Sequence, residues 1–312
     1  MRSLPDNSID LVATDPPYFR VKNELWDRQW DTAQGFIDWI GTLCGEWRRV
    51  LKPNGSLYVF ASPDMATRVE TKIGEIFNVL NNIRWIKEQG WHKKADEGAL
   101  RSYLSPWEAV VFAEQFGANQ VTPLGAAIRD ARTAAGLRAT DIDIALGYVR
   151  TKEPERGTEL CRRWEEGSSI PTENDFIRAM RRCSGVALDN QVLRQEYHSL
   201  RRSFSLNGLR DDLWRFDTVP PYDGKHPCEK PLALMEHIIK TSSRPGDTVL
   251  DCFLGSGVTL RAAKNLGRQA VGIEYVERYC HMASQRLSPA FESAIIAAES
   301  DWTGTLFEET TP

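Results

Sequence analysis

The sequence predicts an α/β fold, a layered sheet interrupted by an all-helical insertion. Three observations predict it. Short apolar runs end in Pro- or Gly-bearing turns and alternate with amphipathic stretches. From about Ala118 the chain turns Arg-rich and poor in strand formers, and at Thr248 the first texture returns.

In order, Ile9 to Thr14 (IDLVAT) reads as a buried strand that closes on Asp15-Pro16-Pro17-Tyr18. A Trp- and Asp-rich loop, Leu25 to Asp31, leads to a helix from about Phe36 to Leu51, ended by Pro53-Asn54-Gly55. Ser56 to Ala61 is a second buried strand, followed by a helix through Val79. Arg84 to Ile86 and Ala109 to Ala113 read as two more strands. Ala118 to Ala187 is helical in pattern, and Leu188 to Lys225 is less regular. Then come the strand TVLDCF (248–253), a Gly-rich turn, a helix to Leu266, the strand QAVGIE (269–274) and a helix to Leu287. The expected division is a first α/β half at 1–117, a helical insertion at 118–187, a linking region at 188–225, a second α/β half at 226–287 and an acidic tail at 288–312.

The 312 residues suit one large domain or two modest ones, and 41% hydrophobic with 26% charged is an ordinary globular composition. No apolar run nears the roughly 20 residues of a membrane helix. The start, Met1-Arg2-Ser3-Leu4-Pro5, has no apolar stretch to act as a signal peptide, so a cytoplasmic location is expected. The six cysteines (44, 161, 183, 228, 252 and 280) form no Cys-x-x-Cys pair, and the five histidines are scattered; free thiols and no metal site are expected. The net charge of −4 argues only weakly against a nucleic-acid partner, because local patches set the field at a cleft. Acidic residues gather beyond Leu287 (Glu292, Glu299, Asp301, Glu308, Glu309) and leave a nearly neutral body.

Asp15-Pro16-Pro17-Tyr18 stands where open α/β sheets build sites, at the carboxyl end of a strand. An aromatic exocyclic amine is a poor nucleophile because its lone pair is delocalised into the ring. Accepting both of its N–H groups frees that pair. Asp15 can supply one acceptor and the Pro16 carbonyl the other, while consecutive prolines hold both rigidly. Tyr18 would stack on a base swung out of a duplex. The bland alternative is a Pro-Pro turn ending a strand.

In the second half, Gly255 and Gly257 let the backbone turn tightly and approach a ligand at the start of the next helix. Glu274, ending the following strand, suits an acceptor for ribose hydroxyls, and Asp251 could meet the donors of an amino-acid moiety. A bare Gly-x-Gly is equally a packing turn, and Gly-x-Gly-x-x-Gly is absent.

TDPPY, then HPCEKP, then DCFLGSGVT and GIE together resemble the β class of amino-methylating DNA methyltransferases, in which the catalytic segment precedes the cofactor segment. The resemblance covers residues 3–115 and 225–287. It implies a Rossmann-like methyltransferase sheet of permuted motif order. It also implies S-adenosylmethionine held by Asp251, Phe253, Gly255, Ser256, Gly257 and Glu274, with Lys230 and Pro231 near its carboxylate. Asp15, Pro16, Pro17 and Tyr18 would hold the base, and aspartate rather than serine at the first position leans toward adenine. The implied partners are the donor and double-stranded DNA, with a second copy of the chain as a further candidate and no membrane. Two departures stand out. Cys252 replaces the family's usual proline. The strand and acidic residue that precede LPDNSIDLV in the family, and contact the donor's adenine, are not seen before Met1; the start lies upstream, another segment substitutes, or donor affinity is reduced.

In that family the segment between the halves chooses the target sequence. Here AAIRDARTAAGL, RATDIDIALG, GTELCRRWEEGSSIPT and ENDFIRAMRR resemble a lambda-repressor-like helix-turn-helix, with extra residues within Tyr148–Gly157. Arg150, Lys152, Arg162 and Arg163 would then touch phosphates or bases, and Arg201 and Arg202 would add phosphate contacts. The alternative is a helical module that only braces the cleft, with Trp164 and Leu160 in its core. Cytosine-N4 methylation, RNA-base methylation and a DNA-binding regulator with an inactive methyltransferase body are the competing functions.

Overall fold

A computed structural model of the chain describes residues 1–87, 101, 103–115, 122–150, 153–185, 188–222, 224–287 and 294–297. The first element is strand β1 (Ile9–Thr14), followed by helix α1 (Ala33–Val50), β2 (Leu51–Ala61), α2 (Ala66–Gly74), β3 (Asn78–Ile86) and β4 (Trp107–Glu114). The second half contributes β7 (Leu213–Arg215), α8 (Leu232–Ser242), β8 (Thr248–Asp251), α9 (Val258–Asn265), β9 (Gln269–Glu274), α10 (Glu277–Leu287) and β10 (Ala294–Ala297). Between them lie α3 (Pro123–Ala134), α4 (Ala139–Leu146), the hairpin β5 (Val149–Arg150) with β6 (Glu153–Gly157), α5 (Leu160–Glu165), α6 (Glu173–Ser184) and α7 (Asn190–Leu200).

Both halves build one sheet of eight strands in the order β10-β9-β8-β1-β2-β4-β3-β7. The strands from β10 to β2 run parallel, and β4 runs antiparallel to β2 and β3. Chain order reverses between β8 and β1. Their carboxyl ends therefore open a crevice where a ligand can lie, and this is the topological switch point.

The strands read as apolar runs because helices cover both faces. On β2, Leu57 and Val59 face the core under α1 and α2, while Tyr58 and Phe60 face the core under α8 and α9. Helix α1 starts where the Thr32 side chain accepts the Gly35 N–H at 3.0 Å. It then buries Phe36, Ile40, Leu43, Trp47 and Val50 at helical spacing.

Three boundaries differ from the sequence expectation. Pro53-Asn54-Gly55 does not end an element but rides inside β2 as a bulge: Ile9 pairs with Leu51 while Leu11 pairs with Ser56. The helix expected through Val79 stops at Gly74, and β3 already begins at Asn78, zipped to β4 by an antiparallel ladder. Helix α7 lies within the stretch expected to be irregular, and its Leu193 and Tyr197 are buried.

The insertion has its own core, which joins Leu124, Ile128, Ile142, Trp164, Phe176 and Tyr197 across α3 to α7. The extra residues between α4 and α5 form the β5–β6 hairpin. Buried Asp143 of α4 fixes the start of α5, accepting the Leu160 and Cys161 N–H groups at 3.1 and 2.8 Å. The module docks at the amino edge of the sheet. Asn54 donates to the Ser199 carbonyl at 2.6 Å, Arg244 donates to the Arg201 carbonyl at 2.8 Å, and Arg202 pairs with Glu114 at 2.8 Å. From there the chain climbs the outer edge of the sheet through β7 and returns to the carboxyl edge.

Candidate active site

A cavity of about 620 Å³ opens at the switch point, a size that suits a small-molecule ligand. Its wall takes Asp15, Pro16, Pro17 and Tyr18 from the turn after β1, and Asp251, Phe253, Gly255 and Ser256 from the turn after β8. Glu274 ends β9 on the same wall, and Lys230, His226 and Met1 to Ser3 also line it. The two sequence-distant turns are tied together directly: the Thr14 hydroxyl donates to Asp251 Oδ1 at 2.9 Å.

The loop after Tyr18 is pinned by Asp27, which has no exposed surface. Its carboxylate accepts the Tyr18 N–H at 2.6 Å and the Lys22 N–H at 2.5 Å. This anchor lets Phe19 and Arg20 hold left-handed backbone angles of 61° and 66°. Trp39 of α1 packs edge-on against Phe253 at 5.5 Å and joins them in the wall.

Around Asp15 the polar groups are buried and unevenly satisfied. Lys230 Nζ donates to Asp15 Oδ2 at 2.5 Å and lies 3.3 Å from Glu108 Oε2. Asp15 Oδ1 is buried with no hydrogen-bond partner inside the protein. Burial raises the Asp15 carboxyl above its ordinary value; the Lys230 ammonium opposes this and the Glu108 charge adds to it. Burial alone would lower Lys230, yet the two carboxylates hold it protonated, well above its ordinary value.

In the neighbouring turn after β8, Asp251 is held by Thr14, Thr259 and the Phe253 N–H, and burial pushes it up to about 6. Glu274 accepts three backbone N–H groups, from Gly255 at 2.8 Å and from Tyr275 and Val276 at 2.9 Å. A carboxylate offers about four lone-pair directions. One therefore stays open on Oε2, fewer than two ribose hydroxyls would need for full contacts. Gly255 (φ +49°) and Gly257 (φ +81°) both need the left-handed region. A Cβ on Gly255 would press the His226 ring at 3.0 Å, and one on Gly257 would strike Ala283 of α10 at 2.7 Å.

Three expected donor contacts are placed differently. Lys230 reaches the cavity with its ammonium directed first to Asp15 and Glu108 rather than held out for a carboxylate. Pro231 is buried and caps α8, and Gly257 shapes the turn without lining the cavity.

None of the arginines expected to touch DNA lines the cavity. Arg150 pairs with Glu159 at 3.4 Å and Arg162 with Glu166 at 3.7 Å. Arg163 is exposed on α5, and Arg201 is exposed with its guanidinium 5.9 Å from the Tyr197 ring centre. Arg202 is turned into the protein. Its side chain is only 15% exposed, paired with Glu114 and stacked over Phe112 and Phe204. Lys152 lies outside the described residues, as does the acidic tail apart from 294–297. Among the described residues no cluster of His, Cys, Asp or Glu is arranged to hold a metal, and no helix is long and apolar enough to cross a membrane.

A sheet reversed at a pocket between DPPY and a Gly-rich turn is the architecture of a donor-dependent methyltransferase. A family model described as DNA methylase, of the N6/N4 type, matches residues 9–285, and the chain belongs to this family. It is 26% identical over 296 residues to the DNA adenine methyltransferase YhdJ of Escherichia coli K12, covering 93% of this chain and 80% of that one. It is 27% identical over 303 residues to the type II methyltransferase M.HpaI of Haemophilus parainfluenzae, covering 93% and 72%. Among solved structures, the M1.HpyAVI–SAM complex superposes with a TM-score of 0.50 at 20% identity, covering 92% of this chain and 91% of that one. The cytosine-N4-specific PvuII DNA methyltransferase superposes with a TM-score of 0.55 at 15% identity, covering 94% and 84%. These two likenesses concern the fold.

Proposed function

We propose that the chain transfers a methyl group from S-adenosylmethionine to the exocyclic amine of adenine in double-stranded DNA. The observation that carries this reading is Asp15: it lines the cavity, and its Oδ1 is buried with no partner inside the protein, an unpaired acceptor that is costly unless a small turn of the side chain lets a ligand donate to it. An amine N–H is a donor that fits, and the carbonyl of Pro16, the next residue of the turn, is the candidate acceptor for the second N–H. Tyr18 supplies a ring at the same wall for a base turned out of the duplex.

Glu274, with its open direction on Oε2, and the buried Asp251 fit the ribose and ammonium ends of the donor. When bound, the donor supplies an electrophilic methyl group on a sulfonium sulfur. Asp15 and the Pro16 carbonyl draw the amine lone pair out of conjugation and aim it across the cavity. The amine nitrogen carries a surplus proton after transfer. Asp15 takes it, because burial raises the proton affinity of its carboxyl. Aspartate as the first residue of the turn, and the likeness to an adenine methyltransferase, support adenine over cytosine.

The insertion is better read as a brace than as the target reader. It enters and leaves at the amino edge, and the strands put roughly 20 Å between that edge and the pocket. Residues 202–222 run back to the pocket rim and are the better placed readers.

Asp15→Ala is expected to lower turnover at least about 100-fold, on the scale of losing one transition-state hydrogen-bond partner. Donor binding measured by calorimetry should stay within threefold of the parent. Turnover within tenfold of the parent would remove Asp15 from this role.

A further inference from the structure

Glu108 is the second residue of β4 and bonds Tyr18 from outside the cavity lining, with a side chain only 13% exposed. Two groups of the site and one lysine outside the cavity converge on it. Its Oε2 accepts the Tyr18 hydroxyl at 2.9 Å and faces Lys230 Nζ at 3.3 Å, and its Oε1 accepts from Lys87 Nζ. Burial pushes the Glu108 carboxyl up, but the Lys230 and Lys87 ammoniums outweigh it and hold the group below its ordinary value, ionised.

An ammonium carries three donors and, once buried, must place them. Lys230 spends one on Asp15 Oδ2 and turns toward Glu108 with another. Without the Glu108 charge, Asp15 is the carboxylate left beside Lys230, and the ammonium would turn toward both of its oxygens, including the Oδ1 that the amine requires. The Tyr18 ring would also lose the anchor that sets its angle at the wall.

Resting on the amine-methylating reading above, we propose that Glu108 is a positioning residue: it draws Lys230 aside so that one Asp15 oxygen stays open for the amine, and it fixes the Tyr18 ring. Asp15 then combines two properties that conflict when a carboxylate meets a lone lysine. It is charge-balanced in a buried site, yet it keeps a free acceptor.

Glu108→Gln keeps the shape and removes the charge. Its kcat is expected to fall about 10- to 100-fold, the scale known for partners that orient metal-bound side chains, with donor Kd within threefold. The Glu108 charge raises Asp15, so removing it should move the acid limb of kcat to lower pH. Glu108→Asp should recover part of the rate. A crystal structure of the Gln variant is expected to show Lys230 Nζ reaching both Asp15 oxygens, a readout independent of turnover. An unmoved acid limb with kcat within threefold would overturn the proposal. So would a lower rate accompanied only by a lower Tm, or a Gln-variant structure in which Oδ1 remains open. If the parent chain methylates no amine, the reading above fails, and the geometry around Oδ1 still decides the role of Glu108.

Discussion

In the insertion, Arg132 pairs with Glu165 at 2.5 Å, Arg138 with Asp141 at 2.9 Å and Arg194 with Glu173 at 3.0 Å, and the Asp143 carboxylate is filled by two backbone N–H groups. At the carboxyl edge of the sheet, Asp15 keeps a bare oxygen, Asp251 is pushed up to about 6, and Glu274 holds one lone-pair direction open. These charged groups of the insertion are paired within it. In the pocket Asp15 Oδ1 has no partner inside the protein, and Asp251 and Glu274, although each accepts three hydrogen bonds, are buried carboxyls raised above their ordinary values. Where a protein leaves buried polar groups incomplete is where ligand chemistry is to be sought.

The sharpest way to break that contrast on the donor side is Glu274→Ala. Hydrogen bonds to a charged acceptor contribute roughly 1.5–3 kcal/mol each, so donor Kd should rise about 10- to 100-fold by calorimetry, and the Tm of the donor-free chain should fall as well, because three backbone N–H groups lose their acceptor. An unchanged Kd would place the ribose elsewhere.

A smaller, pH-borne effect follows from Asp251. A carboxyl at about 6 is ionised at neutral pH and takes up a proton as pH falls. The proton competes with a cationic ligand, so donor affinity should weaken several-fold from about pH 7 to about pH 5. Asp251→Asn should bind weakly at both. Affinity independent of pH over that range would detach Asp251 from the donor's ammonium.

The smallest effect belongs to the insertion. With Arg162 and Arg163 changed together to Ala, methylation of a randomised duplex library should keep its site preference and its rate within threefold. Relaxed specificity at one base pair would restore α5 as a reader, since a bidentate arginine–guanine contact carries about 1–3 kcal/mol of discrimination.

What was legible in the sequence shares one property, that it is local. Asp15 to Tyr18 and Asp251 to Gly257 are each a strand running into a turn, so residue order alone exposes them. Glu108 was not legible, because it looks like the polar start of an apolar strand. Its partners Tyr18 and Lys230 come from elsewhere in the chain, Tyr18 90 positions away. Lys230 was placed by family likeness near the donor's carboxylate, whereas the sheet carries its ammonium to Asp15, 215 positions distant. Asp27 looked like one acid in a loop until burial showed it pinning the turn. The β2 bulge and the early start of β3 escaped for a related reason: Pro53 to Gly55 and NVLNN have turn-like composition, and only pairing with neighbouring strands settles them. The arginines show the reverse limit. Composition marks them as DNA contacts, and only the fold reveals that Arg202 is sequestered under Glu114.

The most direct test is chemical identification of the product. A duplex of mixed sequence is incubated with the chain and a donor labelled in its methyl group, then digested to nucleosides and resolved by mass. Label is expected in N6-methyldeoxyadenosine and is expected to be abolished by Asp15→Ala. Label in N4-methyldeoxycytidine would contradict the assignment to adenine, and label in neither would contradict methylation of an exocyclic DNA amine altogether.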